Sequence, residues 1–160
     1  MRLTSVITSA ALVVMTALPA AAQSADFSGK WMLVPDPAAA PAQGGGPGRR
    51  PSPEIDITKD ATTLTLVRVT PNGERKSVYN LDGSESKNTM TFGGNSMDQL
   101  SKVTWNGNTM IITTAGEVNG NKFESTTALS LDAAGSLVLE NTFPTPDGGK
   151  TTSKATYKKG

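Results

Sequence analysis

The stretch Val103-Thr104-Trp105-Asn106-Gly107-Asn108-Thr109-Met110-Ile111-Ile112 places short segments of alternating character on either side of an Asn-Gly turn. Asn and Gly reach the positive φ that a two-residue hairpin turn demands, so the stretch reads as two antiparallel strands joined directly. Trp105 is in phase with Val103 and falls just before the turn, which places it at one end of the buried face. The same punctuation recurs roughly every ten to thirteen residues from Thr70 to the end. Pro71-Asn72-Gly73, Asp82-Gly83-Ser84, Gly93-Gly94-Asn95, Asn119-Gly120-Asn121, Ala134-Gly135-Ser136 and Asp147-Gly148-Gly149 are its other occurrences.

Between these signals lie segments rich in Thr, Val and Ile, the residues that fit half-buried strands. They predict strands at 26–34, around Ile55 and Ile57, and over 62–70, 75–81, 88–92, 100–105, 109–114, 122–131, 136–143 and 150–158. No window after the first residues shows helical periodicity. The expected fold is all-β, an antiparallel up-and-down meander of about 8–10 strands. Closure into a barrel is expected over an open sheet, because long unpaired edges promote aggregation. A two-sheet sandwich is the competing arrangement.

Met1-Arg2, the apolar run from Val6 to Leu18 and the small residues Pro19-Ala20-Ala21-Ala22 read as a signal peptide over 1–22, cut before Gln23. The run is too short for a membrane span of about 20 residues. A single domain over 23–160 is expected, exported to the periplasm or secreted. Losing Arg2 takes the formal charge from +1 to zero, which removes any electrostatic case for nucleic acid or an anionic membrane. Six of the ten prolines fall in 35–53 together with Gly44-Gly45-Gly46, and this segment is expected to be a flexible loop.

The chain contains no His and no Cys. That excludes Ser-His-Asp and Cys-His catalysis, disulfides, and nearly every zinc site. Most acidic residues sit beside turns, where Asp serves backbone geometry, and Glu124 and Glu140 fall on strand faces that read as solvated. The run Asp82-Gly83-Ser84-Glu85-Ser86 lacks a full calcium ligand set and reads as a polar hairpin. No enzyme activity, cofactor or metal is expected. Charged outward faces at Lys122, Glu124, Lys154 and Lys158 also argue against a barrel facing lipid.

The expected buried face holds Met90, Phe92, Met110 and Ile112, and then changes character. Over the last three strands its parity reads Phe123, Ser125, Thr127, Leu129, then Leu137, Leu139, Asn141, Phe143, then Thr151, Ser153, Ala155, Tyr157. Small hydroxyls between large apolar ends suit a cavity with polar anchors. Arg68 shares a face with Leu64 and Leu66, but Val67 and Val69 occupy the other face. An outward Arg68 is expected, since buried Arg is rare without a partner.

Phe27-Ser28-Gly29-Lys30-Trp31 resembles the Gly-x-Trp opening of the calycins, the lipocalins and fatty-acid-binding proteins. Ala155-Thr156-Tyr157-Lys158-Lys159 resembles the last strand of the intracellular fatty-acid-binding proteins. The resemblance implies a closed lipocalin-like barrel that holds a small apolar or amphipathic molecule, with Trp31 closing one end. Three features depart from it. Ala155 stands where fatty-acid-binding proteins carry a ligand-gripping Arg, 35–53 cannot form their helical lid, and only Lys154 or Lys158 is offered for the cation that lipocalins pack on the Trp. The ligand-binding residues expected are Trp31, Tyr79, Trp105, Ser125, Thr127, Ser153 and Tyr157, with a small hydrophobic molecule as the partner. The alternative is a ligand-free structural or protein-interaction β-domain of the cell envelope.

Overall fold

Strands flank every one of the turn signals in the computed structural model, which describes residues 25–36, 50–71, 73–92, 95–118, 120–145 and 147–160. The expected signal peptide and most of the 35–53 loop lie outside the described residues. The strands are β1 (Gly29–Leu33), β2 (Glu54–Lys59), β3 (Thr63–Thr70), β4 (Gly73–Asn80), β5 (Ser86–Phe92), β6 (Asn95–Asn106), β7 (Thr109–Val118), β8 (Asn121–Leu131), β9 (Leu137–Pro144) and β10 (Lys150–Lys159). All pairings are antiparallel, and among the described residues there is no helix.

The strands form one sheet in the order β4-β3-β2-β1-β10-β9-β8-β7-β6-β5. Sequence neighbours pair throughout, except that β1 pairs with β10 while β4 and β5 are left as the two edges. The first and last strands meet with Trp31 opposite Lys159 and Leu33 opposite Tyr157. The result is a nearly closed up-and-down barrel whose one break lies between β4 and β5.

Turn chemistry explains the local geometry. Gly107 and Gly120 have φ of 58° and 80°, a region in which a Cβ would be strained, and each sits in a two-residue connection. Asp26, Asp60, Asp82, Asp132 and Asp147 each accept the backbone N–H two residues on. Asp60 also accepts both the hydroxyl and the N–H of Thr63, at 2.7 Å each. The Thr63 hydroxyl, then the Thr62 and Thr63 amides, hold its carboxyl at about 2.

β6 and β7 run further than the expected 100–105 and 109–114. Their ladder continues through Leu100 opposite Ala115 to Gln99 opposite Gly116. Backbone pairing extends the strands through residues whose types carry little strand signal, because the neighbouring strand supplies the hydrogen-bond partners.

The expected outward Arg68 is a second difference. Ile57 stands opposite Leu66, and Ile55 opposite Arg68. The buried pair Leu64 and Leu66 therefore sets the register and carries Arg68 inward with it. Val67 and Val69 remain half-buried on the other face.

Side chains span the break. The N–H of Val78 on β4 donates to Asn88 Oδ1 at 2.8 Å, and Asn88 Nδ2 donates to the Val78 carbonyl at 3.0 Å. The amide of Asn88 thus does for β5 what a backbone peptide group would do in a ladder. Arg75 crosses the same gap, with Nη1 3.6 Å from Met90 Sδ. Replacing Asn88 with Ala leaves both Val78 groups without these bonds. The expected loss is about 2 kcal/mol in denaturant unfolding, with faster amide exchange at Val78. Asn88→Asp, which keeps only the acceptor, should still protect the Val78 amide more than Ala does. Unchanged exchange at Val78 in Asn88→Ala would refute the bridging role.

Candidate functional site

The inward residues divide the barrel into two unlike halves. Toward one end stand Phe27, Trp31, Ile57, Leu64, Tyr79, Val103, Met110 and Leu129, all buried in a single apolar cluster. This end is sealed by stacked groups. The Phe27 and Trp105 rings lie parallel, with centroids 6.1 Å apart and planes at 9°. Trp31 Nε1 donates to the Phe27 carbonyl at 2.8 Å, so the buried indole N–H is satisfied. Lys59 Nζ lies 6.0 Å from the Trp105 ring and Lys159 Nζ 5.6 Å from the Trp31 ring. The cation on Trp31 is therefore Lys159, in place of the expected Lys154 or Lys158. The reason is parity: Lys159 is the residue opposite Trp31, whereas Lys154 pairs outside the barrel with Glu140.

Toward the other end the same inward positions become polar and small. Ser101 on β6 and Thr114 on β7 share a hydrogen bond of 2.9 Å, and Ser86 Oγ donates to the Ser101 carbonyl at 3.1 Å. Thr127 Oγ1 donates to Asn141 Oδ1 at 2.8 Å, joining β8 to β9. Beyond these come Gln99, Ser125, Ser153 and the pair Arg68 and Arg75, which stand directly opposite each other on β3 and β4. Among the described residues no buried side-chain polar atom lacks a partner.

The expected site residues are split by this division. Trp31, Tyr79 and Tyr157 are buried in the apolar cluster, with Trp105 packed against it, so they form the packed end and its floor. Ser125 and Thr127 are half-buried on the inner wall of the polar half, and Ser153 is exposed at its rim opposite Asn141. Tyr157 touches both regions. Burial raises its hydroxyl from the ordinary 10.0 to about 12, against the opposing effects of the Arg68 charge and of hydrogen bonding to the Ser52 backbone. Its ring packs in the apolar core.

The wall itself opens between β8 and β9. Their ladder stops at Thr126 opposite Thr142, although β8 begins at Asn121 and β9 continues to Pro144. A cavity of about 190 Å³ lies there, lined by Phe123, Phe143, Pro144, Thr126 and Thr142 together with the charged residues Lys122, Glu124 and Lys150. Phe123 is held by its neighbour on β7. A Cβ on Gly116 would come within 2.8 Å of two atoms of the Phe123 ring, so the ring occupies the space that a side chain there would need. The alternation of residues 121–127 pointed to the hydroxyls. Nothing in that pattern marked Gly116 or the parting of the two strands.

Among the described residues, no group of acidic side chains could hold a metal ion. No protein-family model matches the chain, and no curated protein matches it.

Two measurements probe this geometry. Gly116→Ala should push the Phe123 ring off its seat, shifting its NMR resonances and costing about 1 kcal/mol, with the cost reduced when Phe123 is also made Leu. A strictly additive double mutant would show that the two do not touch. Tyr157 gives a pH test. The unfolded tyrosine ionises near 10 and the folded one near 12, so its contribution is complete below pH 10 and declines as pH rises toward 12. The loss expected over that window is about 2–3 kcal/mol relative to Tyr157→Phe, measured by urea unfolding. Parallel pH profiles for the two proteins would contradict the burial of this hydroxyl.

Proposed function

We propose that this protein is an exported, lipocalin-like container that binds a small amphipathic molecule in the polar half of its barrel and performs no chemistry on it. The single observation behind this reading is the change of the inner wall from large apolar residues to small hydroxyls and amides at one level of the barrel. Ser125, Thr127 and Ser153 would offer polar contacts, and Phe123 and Phe143, beside the opening between β8 and β9, an apolar one. The packed half supplies rigidity beneath them. Pockets of this kind usually combine an apolar lining with a few placed polar groups.

A second reading draws on a different observation, the unpaired outer edges of β4 and β5. It makes the protein a ligand-free interaction module that receives a partner strand at that break.

The two separate in one experiment. An environment-sensitive apolar dye is titrated into the wild type, Ser125→Trp and Thr127→Trp, alongside thermal melts. The container reading expects saturable binding by the wild type and at least about tenfold weaker binding by the plugged variants, with the cooperative melt retained. No saturable dye binding by folded wild type would sink it. Native mass spectrometry of protein purified from its own source would then show whether a ligand is carried.

A further inference from the structure

The two inward arginines are not explained by packing or by ion pairing. Arg68 and Arg75 occupy directly opposed positions in the β3–β4 ladder, on the inward parity of Leu64, Leu66 and Tyr79. Residues directly opposed on one face have Cβ atoms about 5 Å apart, and like charges there oppose folding. Such a pair is normally relieved by a carboxylate. All of the chain's Asp and Glu residues fall among the described residues, and none forms an ion pair with either guanidinium.

The reason is topological. Every strand carboxylate stands on the outward parity: Glu54 pairs with Lys30, Asp98 with Lys87 and Glu140 with Lys154, all on the outer face. The other inward polar groups satisfy one another, as in Ser101 with Thr114 and Thr127 with Asn141. Among the described residues the contact of Arg75 is with a thioether, Met90 Sδ at 3.6 Å, which is a weak acceptor. Among the described residues, the inner wall of the polar half therefore carries two half-buried positive charges and no negative one.

We propose that Arg68 and Arg75 form an oxyanion-binding pair on the inner wall, which takes the carboxylate, sulfate or phosphate end of the bound molecule. A guanidinium presents a planar fork that matches two oxygens at once, and two of them facing each other suit one anion held between. The Arg68 charge also acts to lower the pKa of the Tyr157 hydroxyl, against the larger raising effect of burial. The apolar part of the ligand then extends toward Met90 and Met97, which face each other across β5 and β6. This proposal rests on the container reading for where the rest of the ligand lies, but the anion pair can be tested without it.

The test has two arms. In the first, sodium sulfate is titrated against the arginine side-chain Nε–Hε signals, with sodium chloride at equal ionic strength as the control. Saturable shifts at Arg68 and Arg75 with sulfate and not chloride are expected. In the second, decanoate, decyl sulfate and decanol compete for the dye site in the wild type, Arg68→Met, Arg75→Met and Arg75→Lys. Either anion should bind at least about tenfold more tightly than decanol in the wild type, and the preference should fall below about twofold in the Met variants. Arg75→Lys should retain part of it, because charge remains while the fork is lost.

Comparing decanoate with decyl sulfate shows which oxyanion the pair prefers. A merely structural role for the arginines predicts a lower melting temperature in the Met variants at low salt, whereas an uncompensated like-charge pair predicts an equal or higher one. Equal binding of all three decyl compounds, without a sulfate response, would overturn the proposal and leave the container reading intact. A sulfate response with no binding of any decyl compound would uphold the pair and remove the container.

Discussion

A ten-stranded meander has two edges, and the ladder between β1 and β10 decides where they fall. Without it the first and last strands would be exposed along their length. With it, the edges move to β4 and β5, which are consecutive in sequence and already tethered by a short connection. The break then needs only local repair, and the Asn88 amide provides it by pairing with both polar groups of Val78. The β1–β10 ladder also sets the closed end, since it places Lys159 over Trp31 and Tyr157 beside Leu33. The packed half, the polar half and the break all follow from this one pairing.

Charge is partitioned by the same geometry. Aspartates at the turns are occupied with neighbouring hydroxyls and backbone amides, which lowers their pKa values and ties their carboxylates to turn geometry. Carboxylates on the strands face outward, several in exposed ion pairs that contribute little to stability. Among the described residues, the polar groups left on the inner wall of the polar half are neutral hydroxyls and amides, plus two arginines. In a partly enclosed space, the field of those charges is focused, not screened by neighbouring acids. This charge distribution is what supports the proposed ligand, apolar over part of its length and anionic at one end.

Much of the fold was legible because turn chemistry acts locally. Asn-Gly and Asp-Gly pairs specify their own backbone geometry, and period-2 alternation specifies which face is buried. The lengths of β6 and β7 were not legible, because Gln99 and Gly116 are held in the ladder by partners on the next strand. The inward face of Arg68 is not legible in the sequence because β3 is apolar on both faces, and periodicity alone cannot choose between Leu64 with Leu66 and Val67 with Val69. The cation on Trp31 was missed by a single residue. Lys158 and Lys159 are chemically equivalent in sequence, and only the register opposite Trp31 separates them. Alternation made the inward placement of Ser125 and Thr127 legible, but not the burial of Trp31, Tyr79 and Tyr157 in the core, which depends on register between distant strands.

The sequence by itself determined an all-β meander, its turns, the absence of His and Cys chemistry, and the two ends that meet. These depend on residue type and on neighbours a few positions away. Only the tertiary structure decided which strands became edges, which lysine covers Trp31, where β8 and β9 part, and that Arg68 and Arg75 face each other inside. Each of these is a matter of register between strands distant in sequence or open to more than one alignment. A shift of one residue turns every side chain to the opposite face, so a local pattern cannot specify it.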